Sequence, residues 1–372
     1  MKKVLFIATL VKNHMMEFHV PYLKLFKEMS WETAVAAKND YEDPADCIIP
    51  YCDTFYDVPF ERSPLKPGNL TAYRLVKKII DKGNYNIIHC HTPVGAMITR
   101  LAARDARKKG TQVVYTAHGF HFYKGAPLLN WFVYYPVEVL LARYTDLLIT
   151  INQEDFKRAK RFAVTKPCYI PGVGIDVSRF QCEHPCASGL REQLRIPGDA
   201  LVLVSIGDVN KNKNHAIVIE ALKKLKDDSI YYIIAGRGPL LNRFRQQLAK
   251  DGLDSHVSFL GYRNDVPDLY ALSDVFVFPS YREGLSVSVM EAMASGLPVI
   301  CSKIRGNTDM VVDRENGFLI PPDDCEGLIE AIRSIRDIDT RKRISVANIR
   351  KSDQYRIESI VEAYKTEYLK LV

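Results

Sequence analysis

Short runs of consecutive apolar residues alternate with segments of helical periodicity along nearly the whole chain. Val4–Ala8, Thr33–Ala37, Ile87–Cys90, Val113–Thr116 and Leu147–Ile151 read as strands, because an unbroken apolar run of this length suits a strand buried on both faces. Between them, apolar positions recur every three or four residues near 17–29, 69–82, 94–109, 127–143 and 152–163, the spacing of amphipathic helices. The pattern pauses over 164–200, which is rich in Pro, Gly and Cys. It restarts with Leu201–Ile206, Tyr231–Ala235, Val257–Leu260, Asp274–Phe278 and Pro298–Cys301, alternating with helical stretches near 214–226, 239–252, 266–272, 285–295 and 324–336. A βαβ series of this kind predicts parallel sheets covered on both sides. The fold class is therefore α/β, with two doubly wound, Rossmann-like domains joined by a linker near 172–185. The expected divisions are 1–178 and 179–354, with 355–372 a terminal helix able to pack back on the first domain. Ligands of such folds bind beyond the carboxyl ends of the strands, so a site in a cleft between facing domains is expected.

Composition narrows the function classes. The chain has 372 residues, 47% hydrophobic and 26% charged, which excludes a disordered tail, a collagen-like fibre and a disulfide-stapled miniprotein. Residues 1–180 hold 25 Lys and Arg against 17 Asp and Glu, whereas the remainder holds 26 against 27. All the excess positive charge thus lies in the first half, which predicts an anionic partner there. The eight cysteines follow no framework spacing, and Cys182-Glu-His184-Pro-Cys186 has no second ligand cluster at zinc-module distance; they read as reduced thiols. The apolar run after Met1-Lys-Lys lacks a signal-peptide cleavage site and reads as a strand. No stretch reaches the ~18 uncharged apolar residues of a membrane span; Gly125–Val137 comes nearest and is broken by two prolines.

The densest chemistry lies in Tyr281-Arg282-Glu283-Gly284-Leu285-Ser286-Val287-Ser288-Val289-Met290-Glu291-Ala292, which follows a strand and runs into a helix. Backbone N–H groups of Gly284, Leu285 and Ser286 at a helix start make an anion site that a diphosphate fits. Glu283 then stands beside whatever the diphosphate carries, and Glu291, expected two turns inside the helix, can accept hydrogen bonds from a diol. Eight residues of helix rise about 12 Å, too far for a glycosidase pair across one bond, so one extended ligand gripped at two points is the reading.

The stretch FVFPSYREGLSVSVMEAMASGLPVI resembles the donor-binding signature of glycosyltransferase family 4, retaining nucleotide-sugar transferases of GT-B fold. Ser205-Ile-Gly207-Asp208-Val-Asn-Lys211-Asn-Lys213-Asn214, Ala235–Pro239, Leu260-Gly261-Tyr-Arg263, Ile304–Asn307, Asn316–Leu319 and Tyr115–Gly119 occur in that family's order. The resemblance implies that Lys213 and the Gly284–Ser286 amides stabilise the leaving diphosphate and that Gly207 shapes the strand-end loop. It implies too that Arg263 lies in the base-pocket loop, that Glu291 holds the ribose, and that Glu283 and His118 position the sugar. His14, His19 and His121 are candidates for the acceptor side, whereas His89 and His91 read as structural. Two departures stand out: Asp208 occupies the position of a common Arg, with Lys211, Arg237 and Arg305 as substitutes, and Thr9–His14 contains no glycine.

The N-terminal wording, with Phe18-His19 and AHGFHFYKG, looks most like bacterial capsular and exopolysaccharide transferases. The implied donor is a UDP-hexose or UDP-N-acetylhexosamine, and the implied acceptor an undecaprenyl-diphosphate-linked saccharide. The implied place is the cytoplasm, peripherally at the inner membrane face, where basic residues favour an anionic surface. The aromatic group Phe120, Phe122, Tyr123, Trp131, Phe132, Tyr134 and Tyr135 is a candidate interfacial surface. No cofactor, metal or nucleic acid is expected, and Asp337-Ile-Asp339 reads as solvated surface. A dehydrogenase is excluded because no G-x-G-x-x-G follows a strand. A sugar-nucleotide 2-epimerase and a non-catalytic GT-B scaffold remain as alternatives.

Overall fold

The computed structural model describes residues 1–64, 66–182 and 186–372; His184 of the Cys-Glu-His-Pro-Cys run lies outside them. The chain divides into two compact units, residues 1–173 with 357–372, and residues 174–356.

The first unit holds a parallel sheet of seven strands among the described residues: β1 Lys3–Leu10, β2 Glu32–Lys38, β3 Thr54–Asp57, β4 Ile87–His91, β5 Gln112–Ala117, β6 Leu147–Thr150 and β7 Lys166–Tyr169, in the order β3-β2-β1-β4-β5-β6-β7. The interior of β1 is fully buried, as its unbroken apolar run requires. β3 and β7 lack that signal because they are edge strands of four residues. Pro167 is tolerated in β7 because an edge strand leaves one side of its backbone unpaired. The terminal helix Ile357–Leu369 belongs to this unit, where Ile360, Tyr364 and Tyr368 join the buried cluster around β1.

The second unit holds β8 Leu201–Ile206, β9 Ile230–Ala235, β10 Val257–Gly261, β11 Val275–Phe278, β12 Val299–Ser302 and β13 Gly317–Ile320, in the order β10-β9-β8-β11-β12-β13. Asp337 accepts a hydrogen bond from the Thr340 amide at 2.8 Å and caps the helix Ile338–Ser352, which accounts for the Asp-x-Asp pair as helix-start chemistry.

In each sheet the strand order reverses once, between β1 and β4 and between β8 and β11. There the connections leave on opposite faces and open a crevice at the strand ends. These two switch points collect the chemistry.

Candidate active site

In the second unit, the loop after β8 carries Gly207–Asn214 and the loop after β11 carries Pro279–Ser286. Strand adjacency brings residues seventy positions apart into contact. Lys213 Nζ lies 2.8 Å from Glu283 Oε1 and 4.4 Å from the Phe278 ring centroid. Both partners are mostly shielded, with side-chain exposures of 19% and 14%, so the pair is less screened than a surface ion pair. The two loops are tied by backbone as well: Tyr281 N donates to Asn212 O at 2.8 Å, and Asn212 Nδ2 donates to Arg282 O at 3.0 Å. Asn214, in the left-handed region at φ 54°, donates to the carbonyls of Pro279 and Pro322.

Gly207 sits at φ +143°, and a Cβ there would lie 3.2 Å from Lys213 Cε. A Cβ on Gly236 would meet Gly207 O at 1.8 Å, so these glycines allow backbones to touch where side chains would separate them. His215 fixes the same loop, with Nδ1 2.9 Å from Tyr232 Oη and Nε2 3.1 Å from the Asp208 carbonyl oxygen. Burial lowers its pKa to about 4. The sequence reading missed His215, although a histidine opening a helix beside a glycine turn was a usable signal.

The helix after β11 begins at Val287, with Ser286 as N-cap making no capping hydrogen bond. Glu291 is therefore the fifth helical residue, not two turns in. The chain from Glu283 to Ser286 is not helical, so the 12 Å separation expected from helix rise does not apply. Leu285 and Ser286 are buried. Gly306, at φ +83°, packs so closely that a Cβ would lie 2.1 Å from Gly284 O, and Arg305 Nε donates to Glu283 O at 3.1 Å. Of the three basic residues considered in place of the usual Arg, Arg305 is thus the one anchored to the Glu283–Ser286 turn. Arg237 lies over the Tyr262 ring at 5.6 Å, and Asp208 and Lys211 are exposed. Arg263 is paired with Asp265, Nε to Oδ1 2.8 Å.

Glu291 is largely enclosed. Tyr270 Oη donates to its Oε2 at 3.2 Å and to Ser288 O at 3.0 Å. Burial raises the carboxyl pKa to about 7, against smaller opposing effects of the Tyr270 hydrogen bond and the Arg179 charge. Neither Tyr270 nor Arg179 was foreseen, because they lie 21 and 112 positions away along the chain.

In the first unit the switch point is lined by imidazoles. Where a glycine-rich loop would follow β1, Val11–Met15 forms a π-helical turn bearing His14; short helices Met16–Phe18 and Val20–Glu28 follow, interrupted at His19. His89 and His91 come from β4, and His118 follows β5. His19 Nε2 lies 2.9 Å from His14 Nδ1, and His118 Nε2 lies 3.3 Å from His91 Nδ1. The His19 and His91 rings stack at 3.7 Å, and His89 is 2.7 Å from Tyr368 Oη of the terminal helix. Burial lowers His14 to about 4 and His89 to about 3, and holds His19, His91 and His118 well below the usual range. These rings are neutral at pH 7, and His19 Nδ1 and His91 Nε2 have no hydrogen-bond partner among the described residues. Nitrogen atoms of His14, His19 and His118 lie within 4.8 Å of one another, a group that could hold a metal ion and that the expectation of no metal did not foresee. His91, read as structural, touches His118. His121 stands apart, stacked on Tyr134 at 4.5 Å.

The chain matches two families of known proteins. Residues 188–351 match "Glycosyl transferases group 1" and residues 3–152 match "Glycosyl transferase 4-like". It is 44% identical over 341 residues to EpsD of Bacillus subtilis, named as a glycosyltransferase, covering 90% of this chain and 87% of that one. It is 30% identical over 304 residues to the Escherichia coli UDP-Gal:alpha-D-GlcNAc-diphosphoundecaprenol alpha-1,3-galactosyltransferase, covering 79% and 78%. Among solved structures, Anabaena Alr3699/HepE in complex with UDP and glucose superposes with a TM-score of 0.80 at 22% identity, over 100% of both chains.

Proposed function

The chain belongs to the group 1 glycosyl transferases, and on that basis we propose that it moves a hexosyl or N-acetylhexosaminyl group, with retention, from a UDP sugar to a hydroxyl of a lipid-linked saccharide. Glycosyltransferase activity and the GT-B fold come with the family. The donor, acceptor and stereochemistry are the proposal. The E. coli relative is named for a UDP-galactose donor and a diphosphoundecaprenol acceptor, and the Anabaena structure holds UDP and glucose; both support it.

The observation that carries the reading is the Lys213–Glu283 pair, 2.8 Å apart, beside the turn that opens an uncapped helix. The UDP diphosphate binds the Gly284–Ser286 amides, with Lys213 and Arg305 as cations. As the anomeric C–O bond breaks, negative charge grows on the departing diphosphate, and these donors stabilise it in a site from which water is partly excluded. The acceptor hydroxyl attacks from the same face and forms the new C–O bond, and its proton passes to the departing phosphate oxygen. No base on the far face is then needed. Glu283 and His118 position the sugar, Glu291 with Tyr270 holds the ribose, and Gly207 and Arg263 complete the donor loops. His14, His19 and His121 serve the acceptor side. The enzyme works from the cytoplasmic face of the membrane, with no cofactor.

A thermal-shift panel of UDP, GDP and ADP sugars tests the donor. Ligand at 100 times its dissociation constant stabilises by about 2.7 kcal/mol, a shift of a few degrees. Lys213→Ala and Glu283→Gln are expected to lower turnover at least ~100-fold with unchanged circular dichroism. Wild-type turnover in both variants would remove this site. Product analysis distinguishes transfer from 2-epimerisation.

A further inference from the structure

The helix Leu128–Ala142 is built inside out. Leu128, Leu129 and Phe132 are exposed to 75%, 70% and 77%, and Val133, Val137 and Leu140 are exposed as well. With exposed Pro136, these seven residues fill a half-circle of the helical wheel at 100° per residue, and none carries charge or a polar side chain. The only charged residue of the helix, Glu138, points the other way. It is buried and paired with the fully buried Arg100, whose Nη1 donates to Glu138 Oε2 at 2.8 Å. A helix bathed in water shows the opposite arrangement, and an apolar face of this extent on an otherwise soluble fold marks an interaction site.

A single aromatic residue, Phe132, belongs to this face. Phe120 and Phe122 are core residues, and Trp131, Tyr134 and Tyr135 pack against the core, so of the aromatic group singled out from the sequence only Phe132 projects from the helix. The exposed face is otherwise aliphatic, which suits acyl chains.

Charge complementarity selects the partner. Residues 101–166 carry eleven Lys and Arg against five Asp and Glu, of which Glu138, Asp146 and Asp155 are buried. Exposed Lys124 precedes the helix and exposed Arg143 follows it. Arg107 Nη1 donates to Arg143 O at 3.0 Å, and Arg104 lies over the Tyr144 ring at 5.7 Å, so basic side chains gather at the C-terminal end. Arg158 lies over the Trp131 ring at 4.7 Å. An apolar face bordered by cations matches one environment, the boundary between acyl chains and anionic headgroups.

We propose that Leu128–Ala142 is the element through which the first unit docks on an anionic lipid bilayer, with Leu128, Leu129, Phe132 and Leu140 entering the acyl boundary. The proposal deepens the reading of a lipid-linked acceptor and rests on it. His118 follows β5 directly, and the helix starts ten residues later. Asn130 Nδ2 donates to His121 O at 3.0 Å, so the docked helix is fastened to the segment that carries His118 and the acceptor-side candidate His121.

The test is sedimentation of the full chain with vesicles of phosphatidylcholine alone and with about a third phosphatidylglycerol, the range in which anionic lipid sets a surface potential. Wild type is expected to bind the anionic vesicles, less tightly in high salt, and to bind neutral vesicles weakly. Phe132→Asp and the pair Leu129→Ser with Phe132→Ser should each weaken binding roughly tenfold or more. Because these side chains are exposed, the variants should keep wild-type melting points. Val346→Ser, removing an exposed apolar residue of the second unit, should change nothing. Transfer to a water-soluble, short-tailed acceptor should be equal in wild type and Phe132→Asp, which separates failure of docking from failure of the transferase reading. Equal vesicle binding by wild type and the double variant would overturn the proposal. So would absence of wild-type binding to anionic vesicles, or a change from dimer to monomer in the variants without loss of vesicle binding.

Discussion

Acidification should unfold the first unit well before the second. A histidine whose folded pKa is depressed binds its proton in the unfolded state first. Stability is therefore unaffected above the ordinary value of 6.5 and is lost as pH falls below it. His14, lowered to about 4, and His89, lowered to about 3, stay neutral in the folded state down to about pH 5. At pH 5.5 each costs about 1.4 kcal/mol, a ceiling set by the unfolded value and not by the size of the shift. These two remove about 3 kcal/mol, and His19, His91 and His118, depressed by the same burial, add to the loss. The second unit behaves differently. His215, lowered to about 4, costs a similar ~1.4 kcal/mol at pH 5.5. Glu291 has the opposite sign: its carboxyl is raised to about 7, so its cost is greatest above pH 7 and shrinks as pH falls. Between pH 8 and 5.5 that returns roughly 2 kcal/mol, which offsets His215. Both tryptophans, Trp31 and Trp131, lie in the first unit, so tryptophan fluorescence in urea reports that unit alone. With a slope near ~2 kcal/mol per molar urea, the midpoint should fall by at least ~1.5 M between pH 8 and 5.5, while hydrogen exchange in second-unit peptides changes little. His89→Gln should recover about 1.4 kcal/mol of the drop. A midpoint that moves by less than about 0.5 M, near a third of the loss expected from that slope, would refute the reasoning.

Three other outcomes are expected. Arg100→Leu strands Glu138 as a buried unpaired carboxylate and should destabilise by about 3–5 kcal/mol, while the double change to Arg100→Met with Glu138→Leu should recover most of it; chemical denaturation decides. Gly306→Ala places a methyl against Gly284 O at a backbone angle of φ +83°. It should shift the anion turn and weaken UDP binding at least ~10-fold, about 1.4 kcal/mol, by calorimetry; unchanged affinity would mean the turn does not hold the diphosphate. Tyr270→Phe removes a hydrogen bond that favours ionised Glu291, so the carboxyl pKa should rise further. The KM for the UDP sugar should then increase several-fold at pH 7, and an unchanged KM would separate Glu291 from donor binding.

Much of the architecture could be read from the chain. Runs such as Val4–Ala8 and Leu201–Ile206 are buried on both faces, so apolar continuity alone identifies central parallel strands. β3 and β7 escaped because TFYD and KPCY, at the sheet edges, carry too few consecutive apolar positions to form a run, and β13 escaped because GFLI offers only three. The Glu283–Glu291 segment was legible because strand, turn and helix start are local chemistry. Contacts between Lys213 and Glu283, Arg305 and the Glu283 carbonyl, or Tyr270 and Glu291 were not, because strand order sets which loops meet and local pattern does not encode strand order. The histidines make the same point from the other side. Each was visible singly, yet His14, His19, His89, His91 and His118 become one neutral cluster only because β1, β4 and β5 are neighbours in the sheet, and burial then removes the charge that isolated imidazoles would partly carry. Periodicity likewise placed a helix at 127–143, but which half of it faces outward was decided by tertiary packing: Arg100 draws Glu138 inward and leaves the aliphatic face exposed.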